Sequence, residues 1–589
     1  MTSLRPVLAA AIAGLLLAIP CRAQQAADAV EPEAPTGMRP VSTEPAKATK
    51  FMVAAANQLA AEAGLQILKK GGNAIDAMVT TQLVLNLVEP QSSGIGGGAF
   101  LVYFDAKAGR LTTFDGRETA PAAADPTLFL DEAGDPLSFY DAVVGGRSVG
   151  TPGTLRLIFD THERFGALDW KTVVQPAIDL ATDGFKVSPR LHALIVEEGQ
   201  RLKRFAGARD YFFDAKGEPL KVGAILKNEA FAKTLRLIAD KGAAGFYEGP
   251  IAEDIVRTVQ NAEGNPGRLA LSDLKNYRIV EREPVCLTYR AYEVCGMGPP
   301  SSGALTVGQI LGLIEPFDIA ALGPGSAKAW RLIGDASRLA FADRGRYMAD
   351  IDYVPMPLRG LLDKDYLATR SKLLMGDTAL AKDAVAPGTP PWDHAMLRGD
   401  DVAIELPSTS HFSIVDGTGN VVSITTTIEN GFGSRLMTGG FLLNNELTDF
   451  SFETHDADGA VIANAVAPGK RPRSSMAPTV VMQDGKPVLA IGSPGGSRII
   501  GYVAEALIAV LDWNMNVQEA ASLPHLVNRF GTYDVEAGTD AAKLAGPLSD
   551  LGFEVKEADL NSGIHAIAIT PEGLEGGADP RREGVALGE

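Results

Sequence analysis

Histidine and cysteine are too few and too scattered in this sequence to suggest a metal centre. The seven histidines show no paired ligand spacing, and only three cysteines occur in 589 residues. A zinc-type site needs three or four such ligands at short spacings. Positive charge is also in short supply. With 54 Lys and Arg against 72 Asp and Glu, the formal net charge is −18, and no basic cluster is long enough to follow a phosphate backbone. That excludes nucleic acid as a partner. Beyond the N-terminus no stretch of about 18 apolar residues exists, so no membrane span is expected. No repeat of about 20–50 residues is present, which excludes a solenoid.

What remains is an ordinary globular composition, 46% hydrophobic and 21% charged. Residues 1–23 read as an export signal: Arg5 is the positive flank, Val7 to Ile19 the apolar run, and Cys21-Arg22-Ala23 a small-x-small cleavage site. A periplasmic or extracellular location follows. Residues 24–50, rich in Ala, Pro and Glu over Gln24 to Lys47, read as a flexible leader with no fold of its own. The two later cysteines, Cys286 and Cys295, lie in an alternating run, and a turn on Arg290-Ala291 sets them opposite each other. In an oxidising compartment a cross-strand disulfide is expected. Two free half-buried thiols are the alternative, because Arg-Ala is a poor hairpin turn.

From Val53 to about Met375 the pattern is mostly helical. Helices are expected over Ala54–Lys69 and Ile75–Leu87, and around Thr154–Phe165, Trp170–Thr182, Pro189–Phe205, Ala230–Lys241 and Ser326–Arg346; Phe100–Phe104 reads as a strand. Between Gly376 and Ser408 the chain is rich in Gly, Pro and Asp and lacks periodicity. After Thr409 strands dominate: Ser410–Val415, Val421–Ile428, Gly440–Leu443, Thr479–Met482 and Val488–Ile491. A long helix to about Leu511 and a shorter one near Val517–Ala521 follow, then strands near Phe553–Glu557 and His565–Ile569. This succession suits an α/β (α+β) protein built as a four-layer αββα sandwich.

The segment Glu405-Leu-Pro-Ser-Thr-Ser-His-Phe-Ser-Ile-Val-Asp416 runs from a polar loop straight into a strand, with Thr409 at the junction. If the Ser408–Thr409 bond is cut, Thr409 gains a free α-amine beside its hydroxyl. That amine, with a pKa near ~8, can activate the hydroxyl at neutral pH. The turn Asp416-Gly-Thr-Gly-Asn420, centred on Thr418, sets Thr409 opposite Thr427, whose hydroxyl can position the nucleophile. An ordinary Thr-Thr cross-strand pair is the simpler reading. Gly492-Ser-Pro-Gly-Gly-Ser497 stands between a strand and a helix, where free backbone N–H groups suit an anion or oxyanion.

Several ordered motifs resemble those of the γ-glutamyltranspeptidases: Thr409–Asp416, Asn444-Asn445-Glu446-Leu-Thr-Asp449, Lys470-Arg-Pro-Arg-Ser474-Ser475-Met-Ala-Pro478 and Gly492–Arg498. Further matches are Lys70–Asp76, Gly94–Gly98, Arg117–Pro121, Gly245–Gly249 and Pro299–Gly303, so the resemblance spans about Met52 to Arg581. It implies the N-terminal-nucleophile hydrolase fold and a precursor cut before Thr409 into a large subunit (51–408) and a small catalytic subunit (409–589). The stretch 376–408 would be a mobile tether that withdraws after the cut. The implied substrate is a γ-glutamyl compound such as glutathione, with water, an amino acid or a dipeptide as acceptor and no cofactor. Thr409 would be the nucleophile and the Gly495 and Gly496 amides the oxyanion hole. Arg117, Ser474 and Ser475 would hold the α-carboxylate, and Glu429, Glu446 and Asp449 the α-ammonium.

Simpler readings stand beside these: Arg117 and Asp449 as surface ion pairs, Ser474-Ser475 as a helix cap, and His411 as a packed core residue rather than a base. Gly94-Ile-Gly-Gly-Gly98 mimics a dinucleotide loop but follows a helix and precedes a strand, the wrong order for one. Two departures are visible. Glu429 and Glu446 stand where some family members have Asn and Gln. The stretch from Asp449 to Lys470 is shorter than in members with a full lid and has no tyrosine, implying a more open pocket. Alternatives are a related cephalosporin or glutaryl acylase, an ordinary serine hydrolase, and an inactive exported binding protein.

Overall fold

The computed structural model describes residues 30, 31, 33, 42–392, 398–401, 403 and 405–589. The expected export signal and most of the expected leader lie outside them. Two seven-stranded sheets, each antiparallel throughout, stack face to face. The first runs Val585–Gly588, Met52–Ala55, Ser410–Val415, Val421–Thr427, Gly98–Asp105, Arg110–Gly116, Val280–Arg282. The second runs Ala46–Ala48, Gly573–Ala578, His565–Thr570, Lys486–Gly492, Thr479–Gln483, Tyr292–Gly296, Val285–Tyr289.

Strand alternation makes three apolar layers. Met52, Ala54, Val102, Phe104, Val415 and Val421 point inward and meet Val480, Met482, Ala490 and Ile567 of the second sheet. Their neighbours Val53, Leu101, Phe412 and Ile424 point outward, beneath the helices Gln58–Lys69, Ala74–Val88, Thr154–Phe165 and Trp170–Asp183. Val481, Leu489 and Ile491 point outward from the second sheet, beneath Gly303–Ile314, Ala327–Tyr347 and Ile499–Leu511. Both faces of the central strands are buried, so they read as continuous apolar runs rather than clean alternation. The result is the αββα sandwich. No helix among the described residues is long and apolar enough to cross a membrane.

The structure corrects several boundaries. The run expected to be helical from Ala54 begins as the strand Met52–Ala55; the helix starts only at Gln58, where Asn57 caps it by accepting from the Leu59 N–H at 2.9 Å. The helix expected over 189–205 is split into Pro189–Glu197 and Gly199–Leu202. The strand near 553–557 (Glu554–Ala558) belongs to a separate small sheet with Leu526–Asn528 and Thr532–Glu536. Part of the segment expected to lack a fold is built in: Ala46–Ala48 is an edge strand, and the Glu33 carboxylate is buried against Arg190 and Arg582. Cys286 and Cys295 face each other across their hairpin and are bonded, with Cα atoms 4.1 Å apart. Arg290 carries the turn at φ 53°, held by Asp512 at 3.0 Å and by the carbonyls of Glu315 and Phe317.

Candidate active site

Thr409 stands at the head of the strand Ser410–Val415. Pairs such as Ser410↔Thr426 and Phe412↔Ile424 set the hairpin register that brings Thr409 beside Thr427. The Thr409 Oγ1 donates to Thr427 Oγ1 at 3.2 Å, and Thr427 Oγ1 also accepts from the Glu429 N–H at 2.8 Å. Both hydroxyls are buried. Thr409 has φ +93°, a conformation that a β-branched residue adopts only under strain. Its carbonyl accepts from Arg582 Nη1 at 3.2 Å, and the preceding Ser408 Oγ donates to the Gln91 carbonyl at 3.0 Å.

The glycine turn lies directly against this junction. The Gly495 N–H donates to the Ser408 carbonyl oxygen at 3.2 Å, the carbonyl of the very bond expected to break. Gly495 and Gly496 have φ +133° and +58°. A Cβ on Gly496 would lie 2.6 Å from the Leu406 carbonyl oxygen, so only glycine lets the turn approach the chain so closely. The turn leads through Gly496–Arg498 into the helix Ile499–Leu511.

One cavity is lined by Thr409, Thr427, Gly496, Arg117, Glu429, Glu446, Asp449, Ser474 and Ser475, together with Glu405 and Leu406. Arg117 is only 1% exposed, which removes the surface ion-pair reading. It pairs with Glu446 and, at 2.5 Å, with Asp449, and donates to the carbonyls of Pro472 and Arg473. The acids outnumber the cation. Burial and the neighbouring Glu446 push the Glu429 carboxyl up to about 8. Burial also raises Glu446, Asp449 and, beside them, Glu118. Among the described residues Asp449 Oδ1 has no hydrogen-bond partner, whereas the Glu446 carboxyl also meets that of Glu118.

Ser474 and Ser475 do not cap a helix. Ser474 Oγ accepts from the Met476 N–H, and its carbonyl accepts from the Ser302 N–H and hydroxyl. Ser475 Oγ donates to Glu405 Oε2 at 2.5 Å and accepts from Arg344 Nη2 at 2.8 Å. Arg344 and Arg582 carry no motif and sequence reasoning passed over both, while Glu405, at the head of the segment that leads to Thr409, was given no role; only the fold brings the three here. His411 is a core residue, bonded to Thr425 Oγ1 at 2.9 Å and Ser413 Oγ at 3.1 Å, and burial holds its ring well below the ordinary histidine range.

A family model described as gamma-glutamyltranspeptidase matches residues 60–589. A glutathione hydrolase proenzyme of Bacillus subtilis (strain 168) is 38% identical over 549 residues, covering 91% of each chain. The glutathione hydrolase proenzyme of Escherichia coli (strain K12) is 37% identical over 548 residues, again 91% of each. Among solved structures, a cephalosporin acylase from Bacillus halodurans superposes with a TM-score of 0.81 at 26% identity, over 94% of this chain and 98% of that one.

Proposed function

This chain belongs to the γ-glutamyltranspeptidase family, and from that premise we propose that it is a self-cleaving γ-glutamyltransferase and glutathione hydrolase in which Thr409 is the nucleophile. In the precursor the Thr409 hydroxyl adds to the Ser408 carbonyl carbon. The C–N bond breaks, the nitrogen takes a proton and becomes the free α-amine of Thr409, and water opens the resulting ester to leave a Ser408 carboxylate. The single observation that carries this reading is the Gly495 N–H already seated on the Ser408 carbonyl oxygen, beside a threonine whose φ is +93°. An amide in that place stabilises the oxyanion of the first tetrahedral intermediate, and scission relieves the backbone strain.

In the mature enzyme, large (to Ser408) and small (from Thr409) subunits remain together. The α-amine accepts the Thr409 hydroxyl proton as Oγ attacks the γ-carbonyl of the donor, with the oxyanion on the Gly495 and Gly496 amides. The amine leaves with a proton, and water or an amino acid takes the γ-glutamyl group from the ester. Thr427 holds Oγ. The place of Glu429, Glu446 and Asp449 together in the cavity wall beside Thr409 supports their ammonium role. Export of the chain belongs to the same proposal.

Denaturing gels test the cut: Thr409→Ala should stay one intact chain, whereas the native sequence yields two. Product analysis of glutathione with glycylglycine tests the transfer. A chain that turns over γ-glutamyl amides at full rate while uncut would overturn the reading.

A further inference from the structure

A cluster of buried charge that does not line the cavity also reaches Thr409. Arg582 donates from Nη1 to the Thr409 carbonyl at 3.2 Å and from Nε to Asn561 Oδ1 at 3.1 Å. Glu89, which follows the helix Ala74–Val88, accepts from Ser410 Oγ at 2.7 Å and from Arg190 Nη1 at 2.5 Å. The carbonyl of the nucleophile and the hydroxyl of the next residue are thus held by one cluster. Glu33 completes it from the leader. Its carboxylate accepts Arg190 Nε at 2.7 Å and Nη2 at 2.9 Å, a two-pronged contact, and Arg582 Nη2 at 3.1 Å.

Both guanidiniums are buried, with side chains 1% and 0% exposed. Burial and the like charge of Arg190 both oppose the charge on Arg582. Burial alone would raise the Glu33 carboxyl, but the two guanidiniums hold it below the usual carboxylate range. Loss of Glu33 leaves two buried cations facing each other with one carboxylate fewer, and a buried charge without its partner drives rearrangement around it. The neighbours of Glu33 are seated as well. Arg498, at the end of the glycine turn, donates to the Val30 carbonyl at 2.8 Å, and Lys556 pairs with Glu31 at 2.5 Å. The leader therefore touches both the turn that carries Gly495 and the support of Thr409.

Resting on the functional reading above, we infer that Glu33 is a positioning residue for Thr409, acting through Arg582, and that the leader is a working part of the site in both the cut and the turnover. The peptide plane that follows Thr409 fixes where its Oγ points and, after the cut, where its α-amine points. A shift of about 1 Å in such a group costs on the order of 100-fold in rate.

The test uses the full exported chain. Glu33→Gln should slow self-cleavage on gels and, in cut material, lower kcat for a γ-glutamyl anilide by about 10- to 100-fold with KM within about 3-fold. Glu33→Asp should fall between. Glu31→Gln, which loses only an exposed pair, should match the native chain. Charge balance gives the decisive arm. Glu33→Gln combined with Arg190→Gln removes one charge of each sign, and both rates should return to within about 3-fold of native. Native rates in Glu33→Gln, a loss carried by KM, or a double variant as slow as the single one would each overturn the inference. The double variant also decides the matter if Glu33→Gln does not fold: native rates in it support the charge argument, and slow rates overturn it. Failure of both to fold would assign Glu33 to the core and sink its positioning role. A native chain that stays uncut, or is cut without turning over the anilide, would instead overturn the functional reading.

Discussion

At the scale of single residues, the proposed chemistry turns on two hydroxyls and a crowd of carboxyls. Thr427 Oγ1 is the neutral oxygen that Thr409 Oγ1 donates to, and it is itself pinned by a backbone N–H. Thr427→Val keeps the shape and removes the acceptor. The expected outcome is a loss of about 10- to 100-fold in kcat with KM little changed, measured by steady-state kinetics. Glu429 predicts a pH effect. Its folded-state pKa of about 8 lies above the ordinary value of 4.5, so between those values the folded chain holds a proton that the unfolded chain has lost. Stability of the uncut Thr409→Ala chain should therefore fall as pH rises through that window, and Glu429→Gln should flatten the slope of thermal midpoint against pH. Such crowding was readable in the sequence only as a set of acids matched to a motif. Arg344, which donates to Ser475, could not be read there, because a place in a helix does not say which way a guanidinium points. Arg473 stands in a quoted motif, but only the fold sets its pairing with Asp401.

Among elements, the hairpin and the glycine turn were the most legible. Asp416-Gly-Thr-Gly-Asn420 fixes the register because a two-residue periodicity allows no slip once one face is committed. The strands Arg110–Gly116, Gly573–Ala578 and Val585–Gly588 were not foreseen. Gly573–Ala578 reads Gly-Leu-Glu-Gly-Gly-Ala, with almost no β-forming side chains, and exists because its neighbours offer a ladder to join. Ala54 and Ala55 continue the helical spacing of the run to Lys69, but strand partners on both sides of Met52–Ala55 override that pattern. Gly496→Ala should slow the cut specifically. The added methyl would meet the carbonyl of Leu406, which lies before the scission point, so precursor should accumulate on gels while the overall circular dichroism stays native. Reducing Cys286–Cys295 should cost roughly 2–3 kcal/mol at most, as expected for a short closed loop. Thermal midpoint with and without reductant measures this, and activity should hold, because the bond lies in the edge hairpin of the second sheet.

The whole molecule was legible as a four-layer sandwich because helical and strand patterns divide near Thr409, but the strand order was not. In the first sheet Met52–Ala55 lies between Ser410–Val415 and Val585–Gly588, and Val421–Thr427 lies against Gly98–Asp105. Strands from before and after the scission point are thus interleaved, and their pairing is not set by proximity along the chain. Processed protein unfolded in denaturant should refold with a yield that depends on protein concentration, whereas uncut Thr409→Ala should not; light scattering and recovered ellipticity against concentration distinguish them.

That interleaving makes maturation a one-way passage. The order in which the strands find one another is dictated by a continuous tether, and the protein severs it as its last act of assembly. On the proposed reading, a finished molecule whose sheet opens regains its shape only when two separate pieces meet again, so dilution, rather than time, decides whether the damage is repaired.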